Sequence, residues 1–328
     1  MTAMDATTQP STSVKVVKAV LSILIVLVIA YFYGGELKKN SVDLSTLALE
    51  LNISLVLLAL LLSLLSYLSD FFIWKSILGI HQGPQKITSP ELAAMLYASG
   101  LFRYLPGRIW TYAAQFAWLK KYGITKSRII YINSVCMIEL IITSLYFGLM
   151  YLAMYENGPS APVIILLSAV LLLANLLYNC YNSQVISRIF LIAGKIANRD
   201  IQPISIPVAA MFRIQAVFTV GWLLTGLSVY LLSMGVGLPI FPADMVPVLA
   251  SLSLSWVAGY LALTPAGLGV REGMMLVMLK PVLAMQTALL LPILFRLMIL
   301  LSEALLGVMA LFLGIKCNVF SFGKSKAN

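Results

Sequence analysis

Seven charged residues, Arg103, Arg108, Glu139, Arg271, Glu272, Arg296 and Glu303, stand within or beside long apolar runs. A charge at that depth costs about 2.5 to 3.5 kcal/mol on insertion into hydrocarbon, so it must face a partner or a wet cavity. An arginine fork matches phosphate and carboxylate, and a buried glutamate takes up a cation or a proton. The chemistry on offer is recognition and balancing of an ionic group inside a membrane. No Ser, Cys or His stands beside an activating base, so no catalytic residue is assigned and an intramembrane transferase is disfavoured.

Spacing gives these charges distinct tasks. Arg103 and Arg108 bracket Pro106-Gly107, a break at which a new helix begins and its free N–H groups and positive dipole end favour an anion such as phosphate. Alternatively, one or both arginines snorkel to the interface. Further on, Gly267 and Gly269 allow close backbone approach before Val270-Arg271-Glu272-Gly273 opens another helix. There Arg271 suits an anion and Glu272 a cation. As helix neighbours they do not face each other, so each needs a partner elsewhere. Glu139 lies near the centre of one long apolar span, and Arg296 and Glu303 share a face of the last. With Glu272 these form a candidate buried network, which either balances charge during a functional cycle or acts as a structural set of salt bridges. Asp70 and Arg213, nearer span ends, are expected at the interface.

The elements that position these groups follow from composition. Of 328 residues, 61% are hydrophobic and 10% charged, against about 25% charged in a soluble domain. The fold class is an all-α polytopic membrane protein. Six long apolar stretches, 17–34, 51–77, 129–153, 161–181, 206–235 and 286–313, each suit a transmembrane helix. Between the second and third, and between the fifth and sixth, the Pro/Gly-broken segments have arms of about 12 to 18 residues, which suit re-entrant hairpins better than full crossings. Residues 1–14 are expected to be a disordered cytoplasmic tail, 15–315 a single membrane domain, and 316–328 a basic cytoplasmic tail. Ala19–Tyr33 reads as a retained anchor because it ends in bulky aromatics rather than a small-residue cleavage site.

The net charge of +10 encodes orientation rather than nucleic-acid binding. With both termini cytoplasmic, most Lys and Arg outside the membrane fall on the cytoplasmic side, and Lys38, Lys39 and Lys280 fall on the other. Residues 184–199 alternate apolar and basic at helical spacing and read as a helix lying on an anionic leaflet. Cys136, Cys180 and Cys317 are too scattered for a disulfide framework or a metal cluster, and His81 reads as a solvated loop residue. Neither metal nor cofactor is expected, and the glycine run lacks the full dinucleotide pattern.

Placing Pro106 on Pro265 carries 51–77 onto 210–236, 129–153 onto 288–312, and Lys121 onto Lys280. Span, broken hairpin, span thus occurs twice, over about 51–153 and 210–312. The two copies start on opposite sides, as in an inverted repeat, so their hairpins approach each other near the midplane.

Tyr104-Leu-Pro106-Gly107-Arg108-Ile-Trp110, Lys120-Lys-Tyr-Gly123-Ile and Thr264-Pro265-Ala-Gly267-Leu-Gly269-Val-Arg271-Glu272, with Glu139 and Arg296, resemble the lysylphosphatidylglycerol synthase transmembrane-region family, also described as flippase-like. The resemblance implies a lipid translocator of the plasma (inner) membrane. Its cargo would be a phosphate-bearing lipid: a phospholipid, an aminoacyl-phospholipid or a polyprenyl-phosphate-linked sugar. In that reading Arg103, Arg108 and Arg271 hold the anion, and Glu139, Glu272, Arg296 and Glu303 balance charge. The alternative is a non-transporting partner that presents a lipid-linked intermediate to a cell-envelope glycosyltransferase or lipid synthase. The aminoacyl-transferring domain of full-length synthases has no counterpart in the sequence, so synthesis by this chain alone is not expected.

Overall fold

A computed structural model describes residues 51–80, 86–104, 109–155, 161–196, 206–238, 240–262, 264–317 and 319. The expected span at 17–34, the N-terminal tail, most of the C-terminal tail, His81 and Pro106–Arg108 lie outside these. Nine α-helices occur among the described residues: α1 Ile53–Ile80, α2 Ser89–Leu101, α3 Ile109–Leu119, α4 Lys126–Tyr155, α5 Ala161–Ile196, α6 Val208–Gly235, α7 Met245–Leu261, α8 Val270–Leu279 and α9 Met285–Lys316.

Six of the described helical stretches are long and apolar enough to cross a membrane. Five of them, in α1, α4, α5, α6 and α9, coincide with the expected spans. Their outer faces carry side chains that water would not tolerate in such number: Leu57, Leu61 and Phe72 on α1, and Leu297, Val308 and Phe312 on α9, are all exposed. Hydrocarbon removes that penalty, and the helix satisfies its own backbone.

The sixth is Pro242–Leu261, the first arm of the second hairpin. Its α-helix, α7, has 17 residues, within the expected arm length, and the 3-10 turn Pro242–Asp244 ahead of it brings the stretch to 20; Pro247 falls in the first turn of α7, where its missing N–H is one of the unpaired groups anyway. By contrast α2, α3 and α8, with 13, 11 and 10 residues, are short; at about 1.5 Å per residue none spans a core of about 30 Å. A difference from expectation concerns α5, a single helix of 36 residues. Residues 184–196 continue the span instead of forming a separate helix on the leaflet, since no proline or glycine intervenes between Tyr181 and Gln184. Asn179 Nδ2 of α5 donates to Gln215 Oε1 of α6 at 2.8 Å, and Asn175 Nδ2 to the Tyr146 hydroxyl of α4 at 3.3 Å, polar ties that hold α5 where lipid gives no hydrophobic drive.

At the centre α1 packs along α6. Gly221, Ser228 and Gly235, seven residues apart, let the backbones close in: Gly221 faces Ser69, Ser228 Oγ donates to Ala59 O at 2.7 Å, and Gly235 faces Val56. The hairpins then cross over: α2 packs on α9, and α7 on α4. Exchanging α1, α2, α3, α4 with α6, α7, α8, α9 leaves the pairings among these eight helices unchanged, while α5 packs on one of each exchanged pair, α4 and α6. The turn at Phe102–Tyr104, just before the first break, contacts the turn at Pro265–Gly267 in the second.

Candidate functional site

The second break is shaped by backbone that only small residues accept. Ala266, Gly267 and Gly269 have φ of 50°, 69° and 79°. The Gly269 N–H donates to Glu272 Oε2 at 2.7 Å, closing the start of α8. A Cβ on Gly267 would lie 2.8 Å from Gly259 Cα and 2.9 Å from Arg271 Nε, and one on Gly259 would strike the Arg271 side chain. These glycines form a slot that threads Arg271 onto the face of Trp256, its guanidinium carbon 3.7 Å from the ring centroid. Arg271 is 8% exposed and its Nε has no hydrogen-bond partner; nor does the buried Thr264 hydroxyl. Buried donors left unpaired cost about 1 to 3 kcal/mol, more when charged.

The first break is organised differently. Arg103 lies past the C-terminal end of α2, where its Nε donates to Gly100 O at 2.9 Å and its charge complements the negative helix end. Its Nη1 pairs with Glu303 of α9 at 3.0 Å. Glu303 also accepts from the Tyr67 hydroxyl of α1 at 3.0 Å and from the Tyr104 hydroxyl. One carboxylate thus ties α1, α9 and the first hairpin. About two turns along the same face of α9, Arg296 forms an ion pair with Glu272 at 3.5 Å, and its guanidinium stands 6.0 Å from the Tyr104 ring centroid. The seven-residue spacing of Arg296 and Glu303 places both beside Tyr104.

Three cavities open among these groups. A polar one of about 170 Å³ is lined by Arg103, Arg271, Asp70, Ser99, Gln115 and Asn133, among others. An aromatic one of about 120 Å³ is walled by Phe218, Trp222, Trp256 and Phe295. A third of about 40 Å³ lies around Arg103 and Glu303. Tyr260 and Cys136 line the first two, and Asp70 lines all three. The expectation that Asp70 is interfacial is therefore corrected: α1 continues to Ile80, which sets Asp70 at depth.

The sequence model of the lysylphosphatidylglycerol synthase transmembrane region matches residues 16–307. The chain belongs to that family. It is an integral membrane protein, and no curated protein sequence matches it.

Among the described residues of this family member the expected charges meet in separate ion pairs. Arg296 meets Glu272, Arg103 meets Glu303, and Glu139 stands apart, fully buried with neither carboxylate oxygen hydrogen-bonded. Arg271 and Glu272 diverge from each other, Arg271 to Trp256 and Glu272 to Arg296. Sequence reasoning missed Tyr67, Trp256, Gly259 and Asp70. Gly259 alone carried a local signal, a residue unfavourable by about 1 kcal/mol in the interior of a helix with no turn to explain it.

Outside the spans, the start of α2 is fastened by Glu91. It accepts from the Thr88 N–H and hydroxyl, both at 2.8 Å, and from the Tyr122 hydroxyl at 2.7 Å. Burial works to raise its pKa, but those hydrogen bonds and the Lys121 charge outweigh it and hold the carboxyl below its ordinary value. Lys121 Nζ in turn donates to Val319 O at 3.4 Å, bringing the end of the chain past α9 against the first hairpin.

Proposed function

We propose that this chain is a lipid translocator of the plasma membrane, with both termini cytoplasmic and two inverted halves that rock about the α1–α6 seam. The observation that carries the reading is the pairing of unlike chambers at the meeting of the two hairpin turns. The polar cavity offers Arg271, buried, with an unpaired Nε and desolvated against Trp256. The adjoining aromatic cavity offers an apolar wall. A phosphate-bearing headgroup satisfies the first, and the glycerol or chain end nearest it satisfies the second. Arg103 joins the anion site when it exchanges Glu303 for phosphate, and Glu303 keeps its two tyrosine hydroxyls. Family membership supports the same reading, since the family is flippase-like.

The test is reconstitution into vesicles containing fluorescently labelled phosphatidylglycerol, with chemical quenching of the outer leaflet. The wild-type chain accelerates loss of protection, Arg271→Ala returns it to the protein-free rate, and Arg271→Lys, which keeps charge but not the planar stack, falls between. Wild-type protein that leaves the protein-free rate unchanged refutes the proposal.

A further inference from the structure

The α4–α7–α8 seam holds a fourth cavity, a groove of about 270 Å³ open to the lipid-facing surface and lined by Ser144, Gly148 and Leu152 of α4, Leu254 of α7 and Met278 of α8. Its lining is apolar except for two hydroxyls, and both are engaged: Ser144 Oγ donates to Leu140 O at 2.7 Å, and the Tyr151 hydroxyl to Met278 O at 3.5 Å. Water needs two to four polar partners to occupy a cavity, and this one offers none that are free. Left empty, its walls would forfeit dispersion contacts.

The position of the groove says which hydrocarbon fills it. On α4, Cys136 and Leu140 line the aromatic cavity, and Ser144 and Gly148 line the groove one and two turns further along. On α7, Leu254 faces the groove, and Trp256, two residues on and so on the opposite side of the helix, faces the aromatic cavity. The stripe Cys136, Leu140, Ser144 and Gly148, at i, i+4 spacing on one face of α4, leads from the inner cavity to the groove.

Among the described residues the corresponding place in the other half is tighter, for a visible reason. The alignment of Pro106 with Pro265 sets Ser144 against Glu303 and Gly148 against Gly307. At Gly307 an added Cβ would come within 2.8 Å of Leu101, and Glu303 is tied to Arg103. At Gly148 the nearest atom to an added Cβ is Leu254 Cδ1 at 3.4 Å, an ordinary contact. The α2–α9 seam is narrowed by a leucine and an ionic hub to a cavity of about 40 Å³, whereas the equivalent α4–α7 seam holds the groove of about 270 Å³.

We infer that the α4–α7–α8 groove is a binding slot for one hydrocarbon chain of the lipid whose headgroup enters the polar cavity. The identity of that lipid rests on the translocator reading; the occupancy of the groove by a chain does not.

The test uses the full chain in vesicles doped with phosphatidylglycerol bearing a photoreactive diazirine in one acyl chain. Labelling is expected to concentrate on the peptide spanning Ser144–Leu152 over the exposed α5 face at Ile165–Leu173, by about fivefold, the ratio that about 1 kcal/mol of extra chain contact gives. Gly148→Phe fills the groove and abolishes the preference, whereas Gly148→Ala leaves it. Leu254→Trp, which blocks the groove from α7, provides the same reading should Gly148→Phe fail to give monodisperse protein. Even labelling of α4 and α5, or a preference that survives both fillings, overturns the slot. Transport measured on the same vesicles separates the two ideas: even labelling with intact transport removes the slot and keeps translocation, and selective labelling without transport does the reverse.

Discussion

Removing the carboxylate of Glu303 should loosen the joint between α9, α1 and the first hairpin by an amount that the geometry sets. Glu303 accepts from Arg103, Tyr67 and Tyr104, and its side chain is 8% exposed against 31% for Arg103. Breaking a fully buried pair by deleting one partner costs about 3 to 5 kcal/mol, because the surviving charge is left uncompensated. Interhelical hydrogen bonds in membranes average about 0.6 kcal/mol. Arg103 keeps access to two cavities and one bond to Gly100 O, so Glu303→Leu belongs near the bottom of the first range, about 3 kcal/mol. Glu303→Gln retains acceptor capacity and should cost about 1 to 2 kcal/mol. The decisive quantity is the coupling. Arg103→Met in the Glu303→Leu background should recover about 1.5 kcal/mol, read by equilibrium unfolding in mixed micelles for the four members of the cycle. Additivity within about 0.5 kcal/mol would show that the pair is not coupled and that the hub is incidental.

Gly267→Ala forces a side chain into left-handed backbone and against Gly259 Cα, so a loss of about 3 kcal/mol is expected. Gly273→Ala, with nothing within 4 Å, should gain up to about 1 kcal/mol from helix propensity; thermal unfolding that ranks the two the other way contradicts the slot around Arg271. At Glu91 the folded pKa is depressed, so its contribution to stability is present above the unfolded value and is lost as pH falls through the folded one. The gap in melting temperature between wild type and Glu91→Gln should therefore be full at neutral pH and close on acidification below about pH 4. A gap that widens on acidification has the wrong sign.

What the sequence disclosed was governed by range. The broken hairpins are local facts, written in Pro/Gly pairs between apolar arms, and the shared face of Arg296 and Glu303 follows from helical period. The divergence of Arg271 from Glu272 follows from the same period. Partners were not legible, because each hairpin packs on the other half: Arg103 and Glu303 are 200 residues apart, and Tyr67 is 236 from Glu303. Depth was misread at Asp70, where distance from the end of an apolar run was taken for distance from the interface although α1 continues beyond it. Chain stiffness was misread at α5, whose polar residues after Tyr181 change its surface and not its backbone.

The two halves share their helix pairings yet differ in what fills equivalent places, and that difference bears on mechanism. The proposed translocation would require that one seam yield while the other holds, and a ligand shifts such a balance only by binding one arrangement better than the other. Arg103 is the place where that differential can arise. Its resting partner Glu303 is also the anchor of the α2–α9 seam, so a phosphate that claims Arg103 weakens that seam in the same step. At the position that the Pro106–Pro265 alignment sets against Glu303 stands Ser144, whose hydroxyl donates within its own helix. The consequence is that Glu303→Gln, though destabilising, should tighten binding of an anionic headgroup, because the phosphate no longer competes with a carboxylate for the guanidinium. A Glu303→Gln chain that binds phosphatidylglycerol more weakly than wild type, by competition against the photoreactive lipid, would show that Arg103 serves the seam alone and would leave Arg271 as the anion site.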